Sequence, residues 1–403
     1  MEVHHKLQSI NQEHILDYYD ELTDSEKKEL LKQINKLDFS VLEHLNKREN
    51  NTDECIESLK ALEIPDIKEK EDIYKNIGIA SIRNNKVAAL ILAGGQGTRL
   101  GHSEPKGMCN IGITKEVYIF QRLFENILEV VEVAGEYPHI IIMTSEQTNR
   151  ETRKFLKEKK YFGYKEDKIH FFVQDTNITT DLAGKVYMES KGRIATSPNG
   201  NGGWLESLRN TSLMNMLKTY NIEWLNVVSV DNVLQRICDP VFIGATIDAE
   251  VGVGAKVVRK AHVDEKVGVM CIRNGKPSIV EYYELTDELR SSKDKNGEPL
   301  YNFGVILNYL FNIKELDKID KNEVIHLVKK KINHIDKDGN LVKPEEPNGY
   351  KFETLVLDLI NQMDNCLPFE VERNREFAPI KNRTGVDSID TARELLQMNG
   401  ITL

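Results

Sequence analysis

The segment LAGGQGTRLGHSEPKG, residues 92–107, combines a run of glycines with two cations, Arg99 and Lys106. It directly follows an apolar run, residues 87–92, that is typical of a buried strand. Glycines let backbone N–H groups approach an anion closely, and the two cations add positive charge. Because the charge of a triphosphate must be neutralised before a nucleophile can reach it, this combination predicts a triphosphate-binding loop.

The spacing of the segment excludes two other glycine-rich loops. A dinucleotide fingerprint needs a third glycine where this chain has Leu100. A Walker loop needs Ser or Thr after its lysine, whereas Lys106 precedes Gly107. The remaining alternative is an ordinary turn with surface charges. Four glycines within eight residues, followed by Pro105 and Lys106, argue against it.

Apolar runs alternate with helical patterns from residue 86 onward. The predicted strands are 87–92, 139–143, 169–173 and 225–230, and the predicted helices are 116–133, 148–160 and 204–220. This alternation predicts a Rossmann-like α/β fold, with a mostly parallel central sheet and helices on both faces. Ligands of such sheets bind at the carboxyl ends of strands. Polar clusters at 94–107, 174–175 and 231–232 each follow a predicted strand directly.

The two ends of the chain differ from this central part. Residues 1–80 have a helical pattern with a capping box at Thr23 and Glu26, and we expect a structural or interface role for them. Beyond residue 240 the pattern is mixed, with a helix predicted at 322–331. We therefore predict a helical N-terminal region (1–85), an α/β domain (86–345) and a C-terminal region (346–403) that contains Lys351, Lys381 and a small α/β extension.

Composition limits the classes of partner. The chain has 403 residues and a formal net charge of −10, which argues against nucleic acid or a polybasic membrane anchor. Residues 1–80 hold 11 Lys or Arg and 19 Asp or Glu. Their net charge of 11 − 19 = −8 accounts for most of the net charge of the chain, so the central part is nearly neutral. Five scattered cysteines suit reduced thiols, and no segment has the length of a membrane helix. We expect a cytoplasmic protein, and the sequence indicates no particular protein partner.

The loop LAGG-x-G-T-R-L-G followed by PKG resembles the eukaryotic-type UDP-N-acetylglucosamine (UDP-HexNAc) pyrophosphorylase family. UDP-glucose pyrophosphorylases resemble it more distantly. Further segments match the UDP-HexNAc family in the same order: 198–203, 230–232, 239–240, 254–258, 267–269, 280–282, 347–349 and 379–382. The resemblance covers about residues 86–385 and implies the nucleotide-diphospho-sugar transferase type of fold.

The resemblance also implies roles for individual residues. The implied nucleotide-binding residues are Leu92, Ala93, Gly94, Gly95, Gln174, Gly200, Asp231 and Lys351. The implied catalytic cations are Arg99, Lys106 and Lys381. Asp231 would hold Mg²⁺, with Mn²⁺ as an alternative ion, because hard cations prefer carboxylate oxygen. The implied sugar-binding residues are Asn201, Gly268, Glu281, Tyr282 and Asn302.

One position departs from the family pattern. The family commonly has Asn-Ala-Gly-Asn-Ile at the distal wall of the sugar pocket, and this chain has Val305 in place of the second Asn. Asn302 is retained. Because a few placed polar groups decide which sugar a pocket accepts, this change bears on sugar specificity and leaves the uridine and phosphate sites unaffected.

The resemblance implies a magnesium-dependent uridylyltransferase that converts UTP and N-acetylglucosamine 1-phosphate into UDP-N-acetylglucosamine and pyrophosphate. Val305 leaves the same chemistry on glucose 1-phosphate or N-acetylgalactosamine 1-phosphate as an alternative. A second alternative is a catalytically silent nucleotide-sugar-binding protein that uses its acidic helical segment to bind partners. The full set of cations argues against that alternative, because a binding protein would not need all of them.

Overall fold

A computed structural model describes residues 2–46, 55–295, 297–320 and 325–403. The α-helices of this part of the chain are α1 Glu2–Ser9, α2 Asp24–Lys36, α3 Ile64–Glu69, α4 Glu71–Arg83, α5 Ile119–Ala134, α6 Asn149–Glu158, α7 Trp204–Arg209, α8 Leu213–Thr219, α9 Pro240–Asp248, α10 Asp287–Ser291, α11 Ile313–Leu316, α12 Val356–Ile360, α13 Arg373–Glu376 and α14 Ile389–Met398. Short 3₁₀ turns lie at Glu13–Leu16, Tyr19–Glu21, Ser40–Asn46, Thr98–Leu100, Lys106–Met108, Lys160–Gly163 and Glu166–Lys168.

The strands of the same part of the chain are β1 Ile56–Ser58, β2 Val87–Leu92, β3 His139–Thr144, β4 Ile169–Val173, β5 Thr176–Asp181, β6 Met188–Ser190, β7 Arg193–Ile194, β8 Thr196–Pro198, β9 Trp224–Ser229, β10 Val253–Arg259, β11 Val269–Arg273, β12 Lys276–Val280, β13 Phe303–Asn312, β14 His326–Lys330, β15 His334–Ile335, β16 Leu341–Val342, β17 Gly349–Glu353 and β18 Leu367–Glu370.

The chain divides into two compact units. The first comprises Met1–Thr52, Gln174–Glu206 and Lys321–Asp358, and the second comprises Asp53–Val173, Ser207–Asp320 and Leu359–Leu403. The predicted boundaries after residues 85 and 345 do not coincide with these units. Each unit is assembled from three separate stretches of chain, whereas the prediction divided the sequence into contiguous segments.

A ten-stranded sheet forms the centre of the second unit. Its main order is β1-β11-β13-β9-β2-β3-β4, with β12 beside β11, β10 beside β13 and β18 beside β10. Strands β9, β2, β3 and β4 are parallel, and β13 and β11 extend this part with antiparallel pairing. Every residue of β2 and β3 is buried, as expected for parallel strands covered on both faces. The predicted α/β fold with a parallel central sheet is confirmed.

Helices α4 and α9 of the second unit cross with their backbones in close contact. A Cβ atom on Gly78 would lie 1.9 Å from the carbonyl oxygen of Pro240. A Cβ atom on Gly244 would lie 1.8 Å from the carbonyl oxygen of Tyr74. The crossing therefore requires glycine on both helices, which explains why these two positions carry no side chain.

The first unit contains an antiparallel sheet in the order β14-β17-β5-β8. Leu30 and Ile34 of α2 are fully buried in one apolar cluster with Ile178 and Phe352 of the strands. The predicted capping box of α2 is present, since the Thr23 hydroxyl accepts from the N–H of Glu26 and the Glu26 carboxylate accepts from the N–H of Thr23. Helix α2 of the acidic N-terminal segment is therefore part of the core of this unit.

Three local predictions are wrong. The helix predicted at 322–331 is replaced by β14, which pairs with β17; residues 321–324 lie outside the described part of the chain. Tertiary pairing outweighs the local helical pattern here.

The helix predicted at 204–220 is divided into α7 and α8, because the Thr211 hydroxyl donates to the carbonyl of Leu208 and accepts from the N–H of Leu213. Strand β1 interrupts the N-terminal region that was predicted to be helical.

Candidate active site

The glycine-rich loop follows β2 in the second unit, as predicted. The N–H of Ala93 donates to the carbonyl of Met143 on the neighbouring strand over 2.8 Å, which fixes the start of the loop. The N–H of Lys106 donates to the carbonyl of Gly95 over 3.1 Å, so the loop folds back on itself. A Cβ atom on Gly95 would meet nothing within 4 Å. The loop is therefore open to an approaching phosphate at Gly95, whereas Leu92 and Ala93 are buried. The nucleotide-binding role of Leu92, Ala93, Gly94 and Gly95 stays a prediction.

Two other glycines of the loop are explained by packing. A Cβ atom on Gly97 would lie 2.0 Å from Cε1 of His102, and one on Gly107 would lie 2.3 Å from the ring of Phe120. Both ring nitrogens of His102 are buried and have no hydrogen-bond partner among the described residues. The glycine count of the loop thus reflects its internal packing as well as its proposed ligand.

The two predicted cations of the loop have different environments. Arg99 lies exposed on the 3₁₀ turn Thr98–Leu100. Lys106 begins the 3₁₀ turn Lys106–Met108 and is only 9% exposed. Its Nζ donates to Oδ2 of Asp231 over 3.0 Å. The ammonium of Lys106 is therefore held in place by a buried ion pair, whereas the Arg99 side chain is exposed to solvent.

Asp231 reaches Lys106 because β9 lies beside β2 in parallel register, with Ser229 opposite Leu92. The Ser229 hydroxyl also donates to the Asp231 carboxylate. Burial raises the pKa of Asp231, but Lys106, the Ser229 hydroxyl and the charge of Lys381 together hold it below its usual range. Asp231 is therefore ionised at neutral pH.

The segment 376–381 places Lys381 beside Asp231. The N–H of Ile380 donates to the carbonyl oxygen of Asp231 over 2.9 Å, and Pro379 forms a bridge with Asn232. The Nζ of Lys381 lies 3.0 Å from Oδ2 of Asp387. The structure thus brings together three of the predicted site residues, Lys106, Asp231 and Lys381.

The predicted sugar-binding residues of the second unit form another group. A Cβ atom on Gly268 would lie 3.4 Å from Oε1 of Glu281, so the carboxylate faces this glycine. The carbonyl of Gly268 accepts from the N–H of Val305 over 2.9 Å. Tyr282 is 37% exposed in the turn after β12. Asn302 is buried, and its side chain accepts from the N–H of Lys260.

The remaining predicted residues belong to the first unit. The Gln174 amide group donates to the carbonyl of Gly200 over 2.6 Å and to Oδ1 of Asn199 over 3.0 Å. Gly200 has a φ of +89°, and a Cβ atom there would lie 2.3 Å from the carbonyl oxygen of Thr354. Oδ1 of Asn201 accepts from the N–H of Val356 over 3.0 Å. The structure therefore brings Gln174 and Gly200 together, as the resemblance implies.

Lys351 lies on β17, the strand of the first unit that pairs with both β14 and β5. It is opposite Val328 on one neighbour and Thr179 on the other, and it is half-buried. Its place on an inner strand gives it a rigid backbone, which suits a residue that must present a charge in a fixed direction.

Sequence reasoning assigned no role to several residues that support this site. Asn232 is 1% exposed and bonds through its side chain to the segment that carries Lys381. Lys256 is fully buried between Asp239 and Glu376. A lysine inside the apolar run at 253–258 was the available signal, because such a side chain needs a buried partner.

The geometry agrees with comparisons to known proteins. A family model described as UTP–glucose-1-phosphate uridylyltransferase matches residues 31–396. The UDP-N-acetylhexosamine pyrophosphorylase-like protein 1 of Mus musculus is 34% identical over 416 residues, which cover 96% of this chain and 81% of that protein. The UDP-N-acetylglucosamine pyrophosphorylase of Saccharomyces cerevisiae is 36% identical over 339 residues, which cover 80% of this chain and 71% of that protein.

Solved structures give the same result. The uridine diphosphate N-acetylglucosamine pyrophosphorylase of Trypanosoma brucei superposes with a TM-score of 0.81 at 28% identity, over 97% of this chain and 83% of that chain. A UDP-glucose phosphorylase of the same organism, 17% identical with a TM-score of 0.68, shares the fold over 91% of this chain and 77% of that chain. The chain therefore belongs to the uridylyltransferase family described by the matching model, within its eukaryotic-type UDP-N-acetylglucosamine (UDP-HexNAc) pyrophosphorylases.

Proposed function

We propose that the protein is a uridylyltransferase that makes UDP-N-acetylglucosamine and pyrophosphate from UTP and N-acetylglucosamine 1-phosphate. The observation that carries the proposal is the grouping of Lys106, Asp231 and Lys381 at the glycine-rich loop of the second unit. The names of the relatives support the sugar, since the Saccharomyces cerevisiae protein is a UDP-N-acetylglucosamine pyrophosphorylase.

The reaction needs no general base, because the phosphate of the sugar 1-phosphate is already ionised at neutral pH. One of its oxygens attacks the α-phosphorus of UTP in line, a P–O bond forms, and the bond to the leaving pyrophosphate breaks with its electron pair. Two polyanions must meet, so the protein contributes alignment and charge neutralisation. Arg99 and Lys106 stabilise the departing pyrophosphate, and Lys381 holds the sugar phosphate.

Asp231 is the proposed ligand for Mg²⁺, with Mn²⁺ as an alternative. Its carboxylate fits this role because its pKa is held below the usual range, so it is ionised at neutral pH. Among the described residues, no group of three or more His, Cys, Asp or Glu side chains is arranged to hold a metal. A magnesium ion bound through one carboxylate and the substrate phosphates is consistent with that arrangement. When bound, the ion would supply positive charge to the phosphate oxygens.

Residues of the first unit are proposed to recognise the uridine part of the substrate. A glutamine side chain can satisfy both a carbonyl and an N–H of uracil, and Gln174 is fixed by its bonds to Asn199 and Gly200. Lys351 is proposed to add positive charge for the phosphates. These roles follow from the family resemblance, and the local rigidity of the residues supports them.

For the sugar, Glu281 is the proposed hydroxyl acceptor, with Gly268, Tyr282, Asn302 and, in the first unit, Asn201 as further sugar-binding residues. The N–H of Val305 already bonds Gly268, and its side chain offers no polar group. This observation favours glucose 1-phosphate or N-acetylgalactosamine 1-phosphate as the second candidate substrate.

The location is proposed to be cytoplasmic, and the five unpaired cysteines suit a reducing compartment. In the part of the chain that the structure describes, no helix combines the length and apolar composition needed to cross a bilayer.

The test is pyrophosphate release by the purified chain with UTP and each of three sugar 1-phosphates: N-acetylglucosamine, N-acetylgalactosamine and glucose. We expect the highest kcat/KM with N-acetylglucosamine 1-phosphate and no release without a divalent cation. A higher value with another sugar phosphate would transfer the assignment to that sugar. Absence of release with all three would exclude a transferase and leave the nucleotide-sugar-binding alternative.

A further inference from the structure

A buried ionic cluster lies in the second unit, formed by Lys256, Asp239 and Glu376. The Nζ of Lys256 is 2.8 Å from Oδ2 of Asp239 and 2.5 Å from Oε2 of Glu376. The three residues are 0%, 2% and 6% exposed. A charge buried this deeply lowers the stability of the fold unless it is paired with an opposite charge. The position of each of the three side chains is therefore constrained by the other two.

The cluster connects three elements. Lys256 lies on β10, Asp239 is the N-cap of α9 and accepts from the N–H of Val241, and Glu376 is the last residue of α13. Five residues after Glu376 the chain reaches Lys381. The cluster therefore fixes the beginning of the segment that carries Lys381.

Asn232 fixes the middle of the same segment. Its Nδ2 donates to the carbonyl of Glu376 over 2.7 Å, and its Oδ1 accepts from the N–H of Ala378 over 2.9 Å. Its neighbour Asp231 accepts from the N–H of Ile380 through its backbone carbonyl. Residues 376–380 are thus held along 231–232 by three hydrogen bonds.

We propose that Asn232 and the Asp239–Lys256–Glu376 cluster are positioning residues for Lys381, which they hold against the substrate phosphate. This inference rests on the proposed transferase function. The cluster and Asn232 do not touch the substrate; they act through the backbone of 376–381. Since a misplacement of about 1 Å near a reacting group can cost about 100-fold in rate, loosening this segment lowers catalysis without removing a catalytic group.

The test is a double-mutant cycle between Asn232→Ala and Lys381→Ala, repeated with Lys256→Met in place of Asn232→Ala. In the wild-type background we expect each positioning variant to lower kcat by about 10-fold and to raise KM for the sugar 1-phosphate but not for UTP. In the Lys381→Ala background we expect the same substitutions to change kcat less than about 2-fold, because the group they position is already absent.

A control is Gln12→Ala. Gln12 is also buried, at 4% exposed, and bonds backbone groups through its side chain, at the N–H of Val186 and the carbonyl of Gly184, but these lie in the first unit. We expect it to lower the thermal midpoint while keeping kcat and both KM values. Lowered midpoints with unchanged kcat for Asn232→Ala and Lys256→Met would overturn the proposal.

The proposal would also be overturned if the positioning variants lowered kcat by the same factor in the Lys381→Ala background as in the wild type. They would then act through a group other than Lys381. If Asn232→Ala or Lys256→Met does not fold, Glu376→Gln replaces it in the cycle. Glutamine keeps the size of this side chain and an oxygen that can accept from Lys256, so the variant disturbs the packing least. The proposed function has its own readout, because a wild-type chain that releases no pyrophosphate refutes the transferase. An active wild type whose positioning variants lower kcat equally in both backgrounds refutes only the positioning role.

Discussion

The Nζ of Lys106 lies 3.0 Å from Oδ2 of Asp231, so the proposed phosphate cation is paired with the proposed metal carboxylate. The pair exists because β2 and β9 are parallel neighbours and both chemical groups follow the carboxyl ends of these strands. Without substrate the two charges neutralise each other. A triphosphate with a bound cation would offer each charge a new partner of the opposite sign, so we expect both charges to stay paired when substrate binds.

Removal of the lysine is expected to damage catalysis more than folding. Lys106→Ala should lower kcat by about 10²–10³, the effect of losing one preorganised charge donor. The measurement is pyrophosphate release at saturating UTP. Lys115→Ala, an exposed residue on the following stretch of chain, serves as the control and should keep wild-type kcat. Near-normal turnover of Lys106→Ala would show that the triphosphate site has been misassigned.

Replacement of the carboxylate is expected to change the metal requirement. Asp231→Asn keeps the size of the side chain and removes the negative charge that the proposed ion needs. The Mg²⁺ concentration for half-maximal rate should rise by at least about 10-fold, because loss of a metal ligand, or of a residue that orients one, lowers metal affinity by that factor. The measurement is a magnesium titration at fixed UTP. The exposed Asp248→Asn is the control, and an unchanged titration for Asp231→Asn would remove this residue from the metal site.

Local sequence patterns predicted the elements of the second unit that are buried on both faces. Strand β2 begins and ends where the apolar run at 87–92 does, because a fully buried parallel strand is apolar throughout. The residues of β14 were predicted to be helical because their local pattern fits a helix, and pairing with β17 outweighs that pattern. The error lies where long-range pairing competes with local pattern.

The same distinction applies to the site. The placement of Lys106 and Asp231 at one edge of the sheet was predictable because each follows a recognisable strand end and matches a family motif. Asn232 lies within such a motif, but the role proposed for it depends on backbone groups more than 140 positions away, at Glu376 and Ala378. A positioning residue has no chemistry of its own to recognise, so its role is found only from its contacts.

The crossing of α4 and α9 gives a stability prediction. Gly78→Ala places a Cβ atom 1.9 Å from the Pro240 carbonyl oxygen, which is backbone and cannot rotate away. We expect a loss of about 2 kcal/mol from overpacking, after the small gain in helix propensity that alanine brings. The measurement is the urea midpoint of the second unit. Asn76→Ala on the exposed face of α4 is the control and should be neutral or slightly stabilising.

The lowered pKa of His139 leads to a prediction of how the free energy of unfolding changes with pH. It begins β3, its Nδ1 lies 2.9 Å from Nε2 of His170, and its ring stacks on Tyr220. Burial, followed by the charges of Lys168 and His170, lowers the pKa of His139 from 6.5 to about 4. The native side chain therefore stays neutral in mild acid, while the unfolded chain binds a proton.

Stability should consequently fall as pH drops from about 6.5 towards 4, because the unfolded state binds more protons over that range. Between pH 7.5 and 5.5 the loss attributable to His139 is about 1 kcal/mol. His139→Asn removes the titrating group and keeps a side chain that can bond His170, so its urea midpoint should depend less on pH. The exposed His262→Gln is the control and should keep the wild-type dependence. An equal slope for His139→Asn and wild type would mean that other groups cause the acid sensitivity.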